Sequence, residues 1–173
     1  MIRLLLALLL LFLPVPAQAQ GPVEAAFKQA AAAFAAARPH LGAGFAGVEV
    51  DAYGAVLSGR PFASAYWGGE ITLNVVMRQE KSGSCGRFAA FVRMPPENGT
   101  ILLVICPEFS TPGTESLRRL TILHELVHVV AGPDECRAMA FAAEIERLAF
   151  GQSTPVERYW QANGCQRSSY RQP

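Results

Sequence analysis

Hydrophobic and polar positions divide this chain into helical blocks near its two ends and a strand-like middle. The block from Val23 to Arg38 is rich in Ala, carries Phe27 and Phe34, and stops at Pro39, which predicts a helix. It is apolar, but Glu24, Lys28, Gln29 and Arg38 mark a packed helix rather than a membrane span. Residues 41–47 contain a Gly-x-Gly-x-x-Gly string. It follows a helix and a proline instead of a strand, so it reads as a flexible linker and not as a nucleotide loop. Short strands are predicted at 48–50 and 55–57 around Asp51-Ala52-Tyr53-Gly54, and longer ones at 71–79, 88–94 and 101–106. Thr72, Asn74 and Val76 share one face of the first long strand. Pro95-Pro96-Glu97-Asn98-Gly99 reads as a turn, and Ile101 to Cys106, apolar throughout, as the central strand. Asn98-Gly99-Thr100 is better explained by a hairpin turn than by a glycan acceptor. Further on, a helix opens at Thr114-Glu115 with Thr114 as its N-cap. A second helix spans 133–150, a third spans 155–163, and 166–173 is a loose tail. The expected fold class is α+β, a small antiparallel or mixed sheet packed on these helices.

The first residues change the picture of where the protein works. Met1-Ile2-Arg3 precedes an apolar run from Leu4 to Leu13; Pro14 and Pro16 break it, and Ala17-Gln18-Ala19 ends it. A basic start, a short apolar stretch and an A-x-A site predict a signal peptide over residues 1–19, cleaved after Ala19, and a single domain over 20–173. The run is short for a membrane span, and no Cys follows the cleavage site to carry a lipid, so no stable membrane anchor is expected. The destination is periplasmic or secreted. Cys85, Cys106, Cys136 and Cys165 then read as two disulfides. Four cysteines allow three pairings. Cys85–Cys106 is favoured because the two flank strands that can lie side by side, leaving Cys136–Cys165 to tie a helix to the tail. With 15 basic and 14 acidic residues the charge offers no case for nucleic acid as a partner.

The chemistry is concentrated in His124-Glu125-Leu126-Val127-His128. On a helix, residues i and i+4 share a face, so both imidazoles reach one point in space. That pair suits Zn²⁺, and Glu125 can act as general base on a water held there. The flanks, Thr121-Ile122-Leu123 and Val129-Val130-Ala131, carry no charge, so this helix is expected in the core. A core helix without a cation would bury a carboxylate and two imidazoles together at a cost of several kcal/mol, which a divalent ion offsets. The third histidine, His40, reads as a surface or helix-end residue.

Here the chain resembles the zincin metallopeptidases, whose active-site helix carries an HExxH between uncharged flanks. Within them it is similar to small gluzincin-type members, where the third ligand is a Glu at the start of the next helix. The matching stretch is Glu135-Cys136-Arg137-Ala138-Met139-Ala140-Phe141-Ala142-Ala143-Glu144. Spacing within the chain bears on the same choice. Gly132-Pro133 is a helix stop followed by a helix start, so the second helix should return antiparallel to the first. Glu135 then falls opposite His128; Asp134 is a rival with a second role at the helix N-terminus, and Glu144 lies more than two turns further on. The resemblance implies an oxyanion-steadying residue, for which Tyr159, Tyr66 and Arg137 are candidates, and an extended peptide or protein substrate along the sheet's edge strand.

Three readings follow. The first is an exported zinc-dependent metallopeptidase hydrolysing a peptide or other amide bond, with His124, His128 and Glu135 on the metal and Glu125 as base. The second is a non-catalytic envelope binding module retaining a structural zinc site. The third is an exported structural domain without metal.

Overall fold

A computed structural model describes residues 21–171. The proposed leader lies outside them. Among the described residues the fold is mixed α+β, with five helices and sheets of two and four strands. None of these helices is long and apolar enough to cross a membrane.

Helix α1 (Pro22–Ala37) buries its Ala stripe with Phe34 against the two long helices that follow later in the chain. The segment expected to be a flexible linker instead folds back as a short hairpin, β1 (Gly44–Phe45) and β2 (Val48–Glu49). Ala46 and Gly47 form its two-residue turn, both with positive φ, the conformation that matches strand twist. Residues 50–57, expected to be mostly strand and turn, are helix α2 (Val50–Leu57). Its buried Val50, Tyr53, Val56 and Leu57 recur at helical spacing. Tyr53 decides the matter: its ring lies 5.1 Å from Phe34 and 4.7 Å from Phe141, and its hydroxyl donates to Leu123 O at 2.8 Å. Gly54, which looked like turn punctuation, sits where Phe34 leaves almost no room for a Cβ.

The main sheet runs β3 (Phe62–Ala63), β4 (Glu70–Met77), β6 (Thr100–Ile105), β5 (Ala90–Glu97). β4 is parallel to β6, and the other two contacts are antiparallel, so the sheet is mixed and β6 is central, as its apolar run predicted. β5 continues through Pro95 and Pro96, where the sequence placed a turn. An edge strand tolerates proline, and the pairing is irregular between Arg93 and Glu97. The turn is confined to Asn98 and Gly99, both with positive φ. Cys85–Cys106 pins residues 83–86 to the outer face, beside Val76, Phe91 and Val104.

Helix α3 (Glu115–Ala131) is surrounded. It touches α1, α2, β2, β5 and the next helix, α4 (Glu135–Phe150), and Ile122 to Ala131 are all buried. This is why its HExxH region carries so little charge. Thr114 precedes it but does not cap it, since its hydroxyl bonds to Thr111 O. α4 begins two residues later than predicted, because Asp134 and not Pro133 opens it. Arg119 contacts Glu146 near one end of the pair, while His124 contacts Glu135 near the other, so α3 and α4 run antiparallel. Glu146 is fully buried and accepts from Arg119 and from Thr154 N–H. A short α5 (Glu157–Ala162) follows. The tail beyond it is not loose through Arg171: Cys165 is bonded to Cys136, and Tyr170 OH accepts from Arg137. Both disulfides join the residues that the sequence paired.

Candidate metal centre

Two elements bring the donor atoms together. His124 and His128 stand one turn apart on α3, and Glu135 is the first residue of α4. His124 Nε2 lies 3.1 Å from His128 Nε2 and 3.1 Å from Glu135 Oε2; His128 Nε2 lies 3.7 Å from Glu135 Oε1. All three donor atoms fall within 4.8 Å of one another, and this His/His/Glu group could hold a metal ion. Asp134 is not among them. Its carboxylate caps α4, accepting from Cys136 N–H and Arg137 N–H at 3.0 Å. Glu144 pairs with Arg147 on the same helix. His40 is exposed in a turn after α1.

The donor chemistry fits a cation on grounds internal to the structure. His128 Nδ1 lies 2.9 Å from Gly132 O, and a carbonyl only accepts, so Nδ1 carries the proton. In the neutral ring, Nε2 is then the bare nitrogen, and it points at His124 and Glu135. A single proton on His124 Nε2 has two acceptors, each at hydrogen-bond distance, in a buried spot where a cation would serve all three groups.

The loop between the two long helices is built to hold this carbonyl. Gly132 has φ 83° and ψ −166°, a region open to glycine alone, and the Tyr66 ring packs where its Cβ would be. Trp67 stacks edge-on against Tyr66 and donates through Nε1 to Val129 O at 2.8 Å. Arg137 donates to Ala131 O, covering another carbonyl at the end of α3.

Charge in the centre is finely balanced. Burial raises the Glu125 carboxyl to about 8; the His128 charge opposes the rise, and Glu135 adds to it. The Val92 backbone group on β5 also faces Glu125 and lowers it. Burial lowers His124, outweighing its bond to Glu135. For His128, burial also lowers the pKa, but Glu135, Glu125 and the Gly132 carbonyl together raise it above its ordinary value. Glu135 is held well below the usual carboxylate range: burial would raise it, and the two histidines more than reverse that.

Glu125 and His124 open onto a cleft of about 260 Å³ whose other walls are largely apolar, with Phe88 and Leu117 at its exposed margin and Met139 and Val156 further along. Tyr159 of α5 lines the same cleft, and its hydroxyl donates to Glu135 Oε2 at 2.9 Å. Burial first, and then the Glu135 charge, raise the Tyr159 phenol, so it keeps its proton at neutral pH. The sequence offers Tyr159 as one of three candidates beside Tyr66 and Arg137. The signal was the Cys136–Cys165 pairing, which folds residues 157–162 back over the start of α4. The Gly132 carbonyl and Val92 had no comparable signal. No protein-family model, curated protein or solved structure matches this chain.

Proposed function

We propose that this protein is an exported zinc-dependent metallopeptidase of the zincin type. The observation that carries the reading is the convergence of His124, His128 and Glu135 beside Glu125, with His124 and Glu125 lining an open cleft. When bound, zinc supplies a water acidic enough to be deprotonated near neutral pH and a Lewis acid for the scissile carbonyl. His124 Nε2, His128 Nε2 and one Glu135 oxygen would hold it. Gly132 O keeps the His128 ring in the required tautomer. The Glu125 carboxyl, which a dication bound beside it would hold deprotonated at neutral pH, takes the proton of the attacking water and delivers it to the departing amine nitrogen.

The edge of the sheet supports a peptide substrate. Cys106 N–H donates to Ala89 O, so alternation along β5 turns the main-chain groups of Phe91 and Arg93 toward β6, and those of Ala90 and Val92 toward the open edge. An extended chain pairing there would pass beside Glu125. The apolar cleft then takes the side chain next to the scissile bond. Two disulfides fit an oxidising compartment, in keeping with the leader read from residues 1–19.

The test is Glu125→Gln in zinc-loaded protein, assayed on a quenched-fluorescence peptide mixture. Zinc should stay bound and hydrolysis should vanish; full hydrolysis by the variant sinks the reading. The Tyr159 contact favours a second reading, in which the hydroxyl closes the site as a fourth ligand and the metal is structural. That reading predicts one zinc per chain, no exchangeable water and no hydrolysis by the wild type.

A further inference from the structure

We propose that the open edge of β4 is an interface through which two copies of this chain pair antiparallel about a two-fold axis at Val75, joining their four-stranded sheets into one. The inference is independent of the peptidase reading.

The backbone defines the surface. Thr72 N–H donates to Gly99 O and Arg78 N–H to Ile105 O, so alternate residues from Thr72 onward spend their main-chain groups on β6. Those of Leu73, Val75 and Met77 point the other way. β3 covers that side only as far as Ile71, which pairs with Phe62. Past Ile71, no backbone group meets this edge of residues 73–77 among the described residues. The side chains do not shield it. Val75 is 38% and Met77 59% exposed, and Ile71 to Met77 holds no charge and no proline. Such an edge is a template for another strand. The opposite edge of the sheet is guarded, since β5 carries Arg93, Pro95, Pro96 and Glu97.

Length and side-chain match fit a second copy. The open stretch is bounded by β3 at Ile71 and by the end of the strand at Met77. An antiparallel copy centred on Val75 fills this stretch and no more. Val75 faces its own counterpart, Leu73 faces Met77 of the other copy, and about six N–H···O bonds close the pair. Leu73, Val75 and Met77 share the face of β4 that buries Ile71, so their apolar side chains gather beside the two cores.

Charge sets the direction of pairing. Glu70 and Arg78 stand at the two ends of the stretch on the other face of β4. Both are exposed, and neither side chain has a partner among the described residues. In the antiparallel pair each Arg78 lies opposite Thr72 of the other copy and diagonal to its Glu70, within reach of a long side chain. An in-register parallel copy would set Glu70 beside Glu70 and Arg78 beside Arg78, which is repulsive. β6 separates β4 from β5, so the cleft beside the candidate metal centre stays open in the pair.

The experiment is sedimentation velocity on the disulfide-intact protein over about 1–200 μM. A pairing of this size is at the small end of specific interfaces, so self-association with a Kd of about 1–100 μM is expected. Val75→Lys sets two ammonium groups face to face at the axis and should raise Kd at least about 30-fold. Met77→Lys, at a position still more exposed, should also weaken the pair, and far-UV circular dichroism with Tm verifies that each variant is folded. Glu70→Arg and Arg78→Glu should each raise Kd about 3–10-fold, and the double variant should recover it. A protein that stays monomeric throughout this range overturns the proposal and leaves the edge to a strand from another protein. A dimer whose Kd is unchanged by both lysine variants also overturns it. Charge reversals that fail to compensate overturn the two-fold register.

Discussion

Gly132→Ala puts the loop between α3 and α4 to a quantitative test. At φ 83° and ψ −166°, an alanine backbone is strained by about 1–3 kcal/mol. The new methyl also lands inside the Tyr66 ring. Tyr66 is half-exposed and can swing out, but it then loses its contacts with Gly132 and its edge-on contact with Trp67, worth about 1 kcal/mol. The sum is roughly 2–4 kcal/mol, which for a domain of this size lowers Tm by about 5–15 °C. The same shift moves the carbonyl that holds His128 Nδ1, and losing such a partner weakens metal binding about 10–100-fold. Chelator-stripped protein isolates the fold contribution; zinc titration of the same variant reads the His128 contribution. Adding Tyr66→Ala should recover the ring clash and leave the backbone strain. A variant melting within about 2 °C of wild type refutes the backbone argument. A destabilised variant with wild-type zinc affinity refutes the claim that Gly132 O positions His128.

Metal-free protein should lose stability between pH 6.5 and 8. Glu125, raised from 4.5 to about 8, holds a proton in the folded state that the unfolded chain has released, so its contribution falls as pH rises, at up to about 1.4 kcal/mol per pH unit. His128, also raised, acts in the same direction above 6.5; His124, lowered, contributes a slope only below 6.5; Glu135 is ionised throughout. A urea midpoint that is flat or rising over this window refutes the account, and Glu125→Gln should reduce the slope. Glu146→Ala strips a fully buried carboxylate from Arg119 and Thr154 N–H and should cost about 3–5 kcal/mol by urea denaturation; a loss under about 1 kcal/mol would show the ion pair to be dispensable. Replacing Cys136 and Cys165 by Ala opens a loop closed over a separation of 29 residues and should cost about 3–4 kcal/mol, with Tm under oxidising conditions as the readout. Asp134→Ala should lose about 1 kcal/mol of capping and keep zinc, whereas Glu135→Ala should lose zinc; the reverse pattern in metal content by mass spectrometry would move the third ligand.

Much of the candidate centre was legible because helix geometry is local. A spacing of four residues places His124 and His128 on one face whatever surrounds them, and a Gly-Pro break turns the next helix back toward them. The choice of Glu135 over Asp134 also follows from local rules, since a residue just before a helix spends its carboxylate on free amide groups, and Asp134 does so. Apolar runs likewise carried the central β6, the burial of α3 and the disulfide between strand-flanking cysteines. Residues 50–57 form a helix although Val, Tyr and a Gly suit strand and turn as well, and only the Phe34 and Phe141 rings around Tyr53 separate the two. The prolines of β5 mark a turn in isolation and are accommodated once the strand lies at an edge. Tyr159, Val92 and the Gly132 carbonyl reach the centre from segments remote in sequence or through backbone atoms that no side-chain pattern encodes. Residue spacing thus specified which groups can chelate, because it is a short-range property of one helix and its turn. Which groups orient, cover and assist them depended on packing between elements, where contact energies are summed over the whole fold.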